Sequence, residues 1–407
     1  MSDWVRWIEQ LGRRDDLTNQ RFALVGVEGC GKAALLKQWL SGERVGVLSD
    51  KGAVGFAELA PDRSMRALAE KGAWGMADVQ QLPPLTEYLK RSEGVPNKWG
   101  VTASAGIDFP ESIHKIRLRP LTEGEIQGRP PHLIKRLLAG SLQELVDGET
   151  ECSLRMILDK AALGGFPSLL HLNFRQRSRD YRLWIETLIQ KDLPAVGTYR
   201  QRLLMERMLD YCACRSSEVS NLFRMAEDLG KTRVVTKKYF DAVKRLFVVD
   251  ELPAWTGNRG DRVERSPKLM FCDSGYVSWQ ANVRRENLET PLGNTQRQSI
   301  VERIVKTWVY QQLAPLTDVF RDWHLYHYRS YKGQTVDFLL KRDDGILIVL
   351  TVGLKETVSA EDLKDLRWFR EKYGDNRRVV TVLLYAGNRI YQYGDDEYAL
   401  PMSFLWL

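Results

Sequence analysis

Short apolar runs, bounded by glycine, proline or charged residues, alternate with stretches of helical period through the first third of the chain. Phe22 to Val25 is a continuous apolar run of strand length, and Ala33 to Leu40 then repeats apolar positions at helical spacing. A Pro83-Pro84 turn leads into a helical stretch from Leu85 to Arg91, and Trp99 to Ser104 reads as another strand. This alternation predicts a parallel sheet covered by helices over residues 1–147. Residues 148–200 read as mainly helical around Gly164-Gly165-Phe166-Pro167. Over 201–292 the pattern becomes helix, turn, helix and extended run. Leu222, Met225, Ala226 and Leu229 share one face, and Gly230 ends that helix. Thr236 is then expected to cap a second helix that turns Tyr239, Val243 and Leu246 inward and Lys237, Lys238, Lys244 and Arg245 outward. An extended run from Phe247 to Leu252 comes next. The last region, 293–407, opens with a helix from Ser299 to Leu313 and continues with strands near Leu325 to Tyr331, Thr335 to Lys341 and Ile346 to Val352.

The clearest chemistry lies between the first strand and the first helix. Gly26-Val27-Glu28-Gly29-Cys30-Gly31-Lys32-Ala33 has the glycine and lysine spacing of a phosphate loop. Such a loop uses glycines so that backbone N–H groups can close around phosphate oxygens, a lysine for the β/γ charge, and a Ser or Thr hydroxyl for Mg²⁺. Ala33 carries no hydroxyl. The candidate nucleotide-binding residues are therefore Gly26, Gly29, Gly31, Lys32 and Ala33, with Thr102 and Ser104 at the end of a strand where a γ-phosphate sensor could sit. The same two hydroxyls could equally end a strand and cap the next turn. Where a hydrolytic enzyme of this type ends a strand with two acids, the chain offers Ala77 and then Asp78, a reduced catalytic candidate.

Composition narrows the classes. At 407 residues the chain has room for two or three domains, and 43% apolar with 28% charged residues is an ordinary globular composition. No apolar run reaches membrane-spanning length and the start, Met1 to Arg6, has no secretory character, so a cytoplasmic protein without membrane association is expected. Five cysteines without a CxxC pair, and His324 and His327 without an HExxH arrangement, predict neither a disulfide framework nor a metal site. The net charge of +7 and a pI near 9.0 permit contact with nucleic acid. A basic second helix is what entry into a DNA groove requires, which makes Lys237, Lys238, Lys244 and Arg245 the DNA-binding candidates; packing alone is the competing reading. The arginines between Arg175 and Arg182, and the aromatic and basic residues between Trp323 and Lys332, are most simply a solvated face and core-filling strand residues.

Taken in order, these segments resemble bacterial and archaeal AAA-type ATPases that carry a winged-helix segment and a C-terminal domain of the restriction-endonuclease type. Further marks of the resemblance are Ala77-Asp78-Val79-Gln80-Gln81-Leu82-Pro83-Pro84, Thr102-Ala103-Ser104, Leu118-Arg119-Pro120-Leu121-Thr122-Glu123-Gly124-Glu125, Gly164-Gly165-Phe166-Pro167 and Lys268-Leu269-Met270-Phe271-Cys272-Asp273-Ser274-Gly275. The resemblance implies an α/β fold in four parts: a P-loop NTPase-like parallel-sheet domain (1–147), a helical lid-like region (148–200), a winged-helix and connecting segment (201–292), and an α/β restriction-endonuclease-like domain (293–407). It also implies that Ala33 stands for the Mg²⁺-binding hydroxyl, Ala77 for an acid and Asp78 for a catalytic glutamate. In the last domain Glu302 and Asp337 resemble two metal-binding acids, whereas Thr351-Val352-Gly353 supplies neither the third acid nor the lysine, and Lys355 and Glu356 lie just beyond.

The expected protein binds ATP or ADP, has little means of holding Mg²⁺, hydrolyses weakly or not at all, and lacks nuclease activity. DNA or a DNA-bound protein partner would be engaged through the winged helix and the last domain, as a scaffold or switch in mobile-element or defence biology, a placement by family analogy. Two alternatives stand beside it. One is an active ATPase whose ligands are completed in trans within a homo-oligomer; the other is a structural subunit in which both sites are relics.

Overall fold

The computed structural model describes residues 6, 21–40, 44–46, 63, 74–91, 99–139, 142, 148–257, 265–283 and 295–407. The expected boundary positions Asp147 and 292–293, and the N-terminal segment apart from Arg6, lie outside the described residues.

The first sheet is parallel throughout. It contains β1 (Arg21–Val25), β2 (Arg44–Gly46), β3 (Trp74–Met76), β4 (Trp99–Ala103) and β5 (His114–Arg117), in the order β2-β3-β4-β1-β5. Parallel strands covered on both faces need near-continuous apolar sequence. Phe22, Ala23, Leu24, Val101 and Ala103 are accordingly all fully buried. Helix α1 (Lys32–Trp39) packs Leu35, Leu36 and Trp39 against Phe22 and Leu24 on one face, while α2 (Pro83–Arg91) packs Leu85 and Leu89 against Ala23 and Val101 on the other.

The middle of the chain is helical. Asn173 opens α4 (Phe174–Thr187) with a capping box to Gln176, following α3 (Leu154–Leu163). Helices α5 (Arg202–Cys214), α6 (Leu222–Leu229) and α7 (Arg233–Arg245) precede an antiparallel pair, β6 (Val249–Leu252) and β7 (Lys268–Phe271), and Val219 bridges to Lys268. Gly230 ends α6 in the left-handed conformation, as its position suggests. The expected cap of the next helix is wrong by one turn. Thr232, extended at φ −68° and ψ 153°, accepts the N–H of Val235, and Thr236 sits inside the helix, buried. The β-branched pair Val234-Val235 hides the true start because it reads poorly as helix.

After α8 (Ser274–Gln280), the long α9 (Thr295–Val319) lies against a six-stranded mixed sheet ordered β12-β13-β11-β10-β9-β8. Its strands are β8 (Trp323–Arg329), β9 (Thr335–Arg342), β10 (Leu347–Val352), β11 (Val379–Tyr385), β12 (Tyr391–Gly394) and β13 (Glu397–Pro401), with α10 (Lys364–Tyr373) on the opposite face. The sequence places α9 at Ser299 to Leu313; it begins earlier and runs on through Pro315. Trp323 and Tyr328 are buried, and Tyr328 packs with Trp255, Phe369 and Tyr373, so those aromatics fill the core. One apolar cluster extends from Phe22 through Tyr239 and Trp308 to Trp406, crossing every boundary expected from the sequence.

Candidate functional site

The loop between β1 and α1 leaves the sheet beside the carboxyl end of β4, where the connections from β1 and β4 run to opposite sides. That is the crevice in which open α/β sheets bind ligands. Gly26 must be glycine because a Cβ there would stand 2.0 Å from the Leu118 carbonyl oxygen. Gly31, at φ +97°, forms the N-cap of α1 in the left-handed region. Lys32 is 4% exposed, and its Nζ donates to the Val27 carbonyl at 2.9 Å. The Arg6 guanidinium closes the back of the loop by donating to the Cys30 and Arg119 carbonyl oxygens and lies 3.5 Å from Glu125 Oε2. Cys30 itself is buried with Sγ against the Leu118 carbonyl, as a small inert side chain would be.

Carboxylates crowd the front. Ser104 Oγ donates to Glu28 Oε2 at 2.6 Å, and the same oxygen is 3.9 Å from Lys32 Nζ. Trp184 Nε1 donates to the Glu28 carbonyl at 2.9 Å and fixes the backbone of that residue. Asp78 lies in the left-handed region at φ 58°, held by its N–H to Thr102 Oγ1 at 2.9 Å. Gln80 links two elements, accepting from Ser104 N at 3.2 Å and donating to Asp192 Oδ1 at 2.9 Å. Burial first, and then the Glu28 charge, raise the pKa of both Asp78 and Asp192, that of Asp192 to about 7. A cavity of about 700 Å³ opens here, lined by Arg6, Glu28, Gly29, Lys32, Asp78 and His171 among others.

The candidate nucleotide residues thus converge: Gly26, Gly29, Gly31, Lys32 and Ala33 form the loop and helix start, with Thr102, Ser104 and Asp78 beside them. Thr102 and Ser104 hold Asp78 and Glu28, so their roles exceed ending a strand. Among the described residues no cluster of His, Cys, Asp and Glu side chains could hold a metal ion. Arg6, Trp184 and Asp192 escape a reading of the sequence because they reach the loop from distant segments without a motif of their own.

Glu302 and Asp337 occupy a second place. Lys306 Nζ lies 2.9 Å and Lys268 Nζ 3.5 Å from Asp337 Oδ1, while Val352 N donates to Oδ2 at 3.0 Å. Burial would lower the Lys306 pKa, but Asp337 and, to a smaller extent, Glu302, one turn earlier on α9, raise it above its ordinary value. Asp337 therefore serves as the counter-ion of Lys306 and Lys268. Lys355 and Glu356 are engaged elsewhere, with Asp362 at 2.8 Å and with Leu154 N at 3.0 Å.

The cations of α7 make bonds within the protein. Lys237 pairs with Asp241, and Lys238 donates to the Thr198 carbonyl at 2.7 Å over the Tyr199 ring. Lys244 meets Glu251 at 2.7 Å and Asp241 at 3.1 Å. Arg245 donates to the Val196 and Gly106 carbonyls at 2.9 and 3.2 Å, docking the helix end onto the loop after β4. Lys244 is half-buried, whereas Lys237, Lys238 and Arg245 remain exposed alongside these bonds.

Two family models match the chain, both described as domains of unknown function: DUF8612 over residues 155–287 and DUF4143 over 302–405. Uncharacterized proteins of Mycobacterium tuberculosis and Mycobacterium bovis are each 27% identical over 115 residues, 28% of this chain; the match spans about a quarter (26%) of their length. Among solved structures, a signal transduction ATPase with numerous domains and a tetratricopeptide repeat sensor from Pyrococcus horikoshii covers 79% of this chain and 47% of its own, at 13% identity and a TM-score of 0.25. Protein VC1899 from Vibrio cholerae covers 95% of both chains at 11% identity and a TM-score of 0.22. Superpositions this loose carry no argument. Among the described residues no helix is long and apolar enough to cross a membrane.

Proposed function

We propose that this chain is a nucleotide-holding, hydrolytically impaired ATPase-like protein that works as a scaffold or switch. The observation that carries this reading is the convergence of Gly29, Gly31 and the buried Lys32 on a 700 Å³ cavity at the crevice of a parallel sheet. Match of the last quarter of the chain to DUF4143, a family associated with AAA-like ATPases, supports the same reading. Impairment is a consequence of the side chains. Ala33 supplies no hydroxyl to a metal, Ala77 no acid, and Asp78 is half-buried with a raised pKa and bonded through its N–H to Thr102. Loss of groups that stabilise the transition state costs a few kcal/mol each, though such losses need not add. ATP turnover by the wild type is expected to equal that of Lys32→Ala within error. Turnover typical of competent P-loop enzymes, and abolished by Lys32→Ala, would overturn the assignment.

The order helix, bridging strand, helix, helix and paired strands over α5 to β7 supports a winged-helix reading, and the α9 acid beside a sheet acid supports a nuclease-like ancestry without its chemistry. DNA contact by the winged helix would involve the exposed Lys237 and Lys238. If they meet phosphate, replacing both with Ala reduces the slope of log affinity against log salt by about 2. An unchanged slope removes the winged helix from the DNA argument.

A further inference from the structure

We propose that Glu28 is a built-in surrogate for a terminal phosphate, so that the site takes a nucleoside diphosphate and discriminates against the triphosphate. This deepens, and rests on, the nucleotide-binding reading above. In a working phosphate loop the lysine reaches the β- and γ-phosphates, and a polar group at a neighbouring strand end can meet the γ-phosphate. Here the two corresponding groups already face one carboxylate oxygen: Ser104 Oγ at 2.6 Å and Lys32 Nζ at 3.9 Å from Glu28 Oε2. The Glu28 backbone is held as well, Trp184 Nε1 donating to its carbonyl at 2.9 Å. Asp78 lies nearby and Asp192 is joined through Gln80 Nε2, so Glu28 carries the first charge a phosphate would meet beyond Lys32. A terminal phosphate entering there would meet the Glu28 charge, and the usual remedy, a bound divalent cation, finds no donor in the Ala33 and Ala77 side chains. A diphosphate avoids this conflict: its charge ends at the loop amides and Lys32.

Glu28→Gln keeps an oxygen that Ser104 can donate to while removing the charge, and Glu28→Ala empties the position. Calorimetric titration of ADP and ATP, in chelator and in Mg²⁺, should show the wild type binding ADP about tenfold or more tightly than ATP, and Glu28→Ala narrowing that ratio to about threefold or less by strengthening ATP. Narrowing by Glu28→Gln as well assigns the effect to charge; narrowing by Glu28→Ala alone assigns it to occupancy, and either supports the surrogate. Retained ADP binding by a variant shows that it is folded. Equal affinities in the wild type, or an ADP preference unchanged in both variants, overturns the inference while leaving nucleotide binding intact. If the wild type binds neither nucleotide, the reading beneath it falls too.

Discussion

Asp250→Ala is expected to lower the unfolding free energy by about 3 kcal/mol, the low end of what removing one partner from a buried ionic network costs, because this network is only partly buried. Asp250 on β6 accepts from Arg117 at 2.6 Å, Arg119 at 2.5 Å and the Tyr310 hydroxyl at 2.7 Å, and Arg119 also meets Asp318 at 2.5 Å. The residues come from the edge of the parallel sheet, the β6–β7 pair and α9, so the network joins parts that the sequence reads as separate. Without Asp250, Arg119 keeps Asp318 while Arg117 loses the carboxylate it pairs with. Burial alone would raise the Asp250 pKa, but Arg117, Arg119 and Tyr310 overrule it and hold the carboxyl well below its ordinary range. Its stabilisation is therefore complete above about pH 4 and is lost as pH falls toward the depressed folded value. Denaturant unfolding at pH 7 and at pH 3 checks both statements. A deficit under about 1 kcal/mol at pH 7, in the range of exposed pairs, would show the network to be a surface feature.

Asp337→Ala should cost a similar amount, about 3–5 kcal/mol, because Lys306 and Lys268 would lose their shared carboxylate and Val352 N its acceptor. Burial would raise the Asp337 pKa, yet the two ammoniums hold it below the ordinary range, which marks a carboxylate already neutralised by protein cations. The account predicts that adding Lys306→Met to Asp337→Ala restores part of the loss, and that Mg²⁺ or Mn²⁺ leaves wild-type stability unchanged. If either metal raises wild-type stability and Asp337→Ala abolishes that gain, the acid pair is a metal site after all.

How far these features can be read in advance depends on whether their signal is local. β1, the phosphate loop and α1 are legible because an apolar run, a glycine spacing and a helical period succeed one another without interruption. The strands β9 and β10 are legible for the same reason. Glu28 is visible as a letter but not as a ligand of Ser104, since that contact joins residues 76 positions apart. Arg6, Trp184 and Asp192 likewise enter the site only through tertiary packing. Lys306 reads as one more polar residue of a long helix; the register of β9 against α9 gives it Asp337. The basic side of α7 is plain in the sequence, but its partners, Val196, Gly106, Thr198 and Glu251, lie outside the helix, so the bonds that Lys238, Lys244 and Arg245 make within the protein are not legible there.

The most direct measurement is thermal unfolding of the wild type and of Lys32→Ala with and without ADP, in chelator and in Mg²⁺. The account predicts that ADP at about 100 times its dissociation constant stabilises the wild type by roughly 2.7 kcal/mol, nearly independently of Mg²⁺, and leaves Lys32→Ala unmoved. An unfolding transition that no nucleotide shifts in the wild type would contradict it and leave the loop as a structural turn.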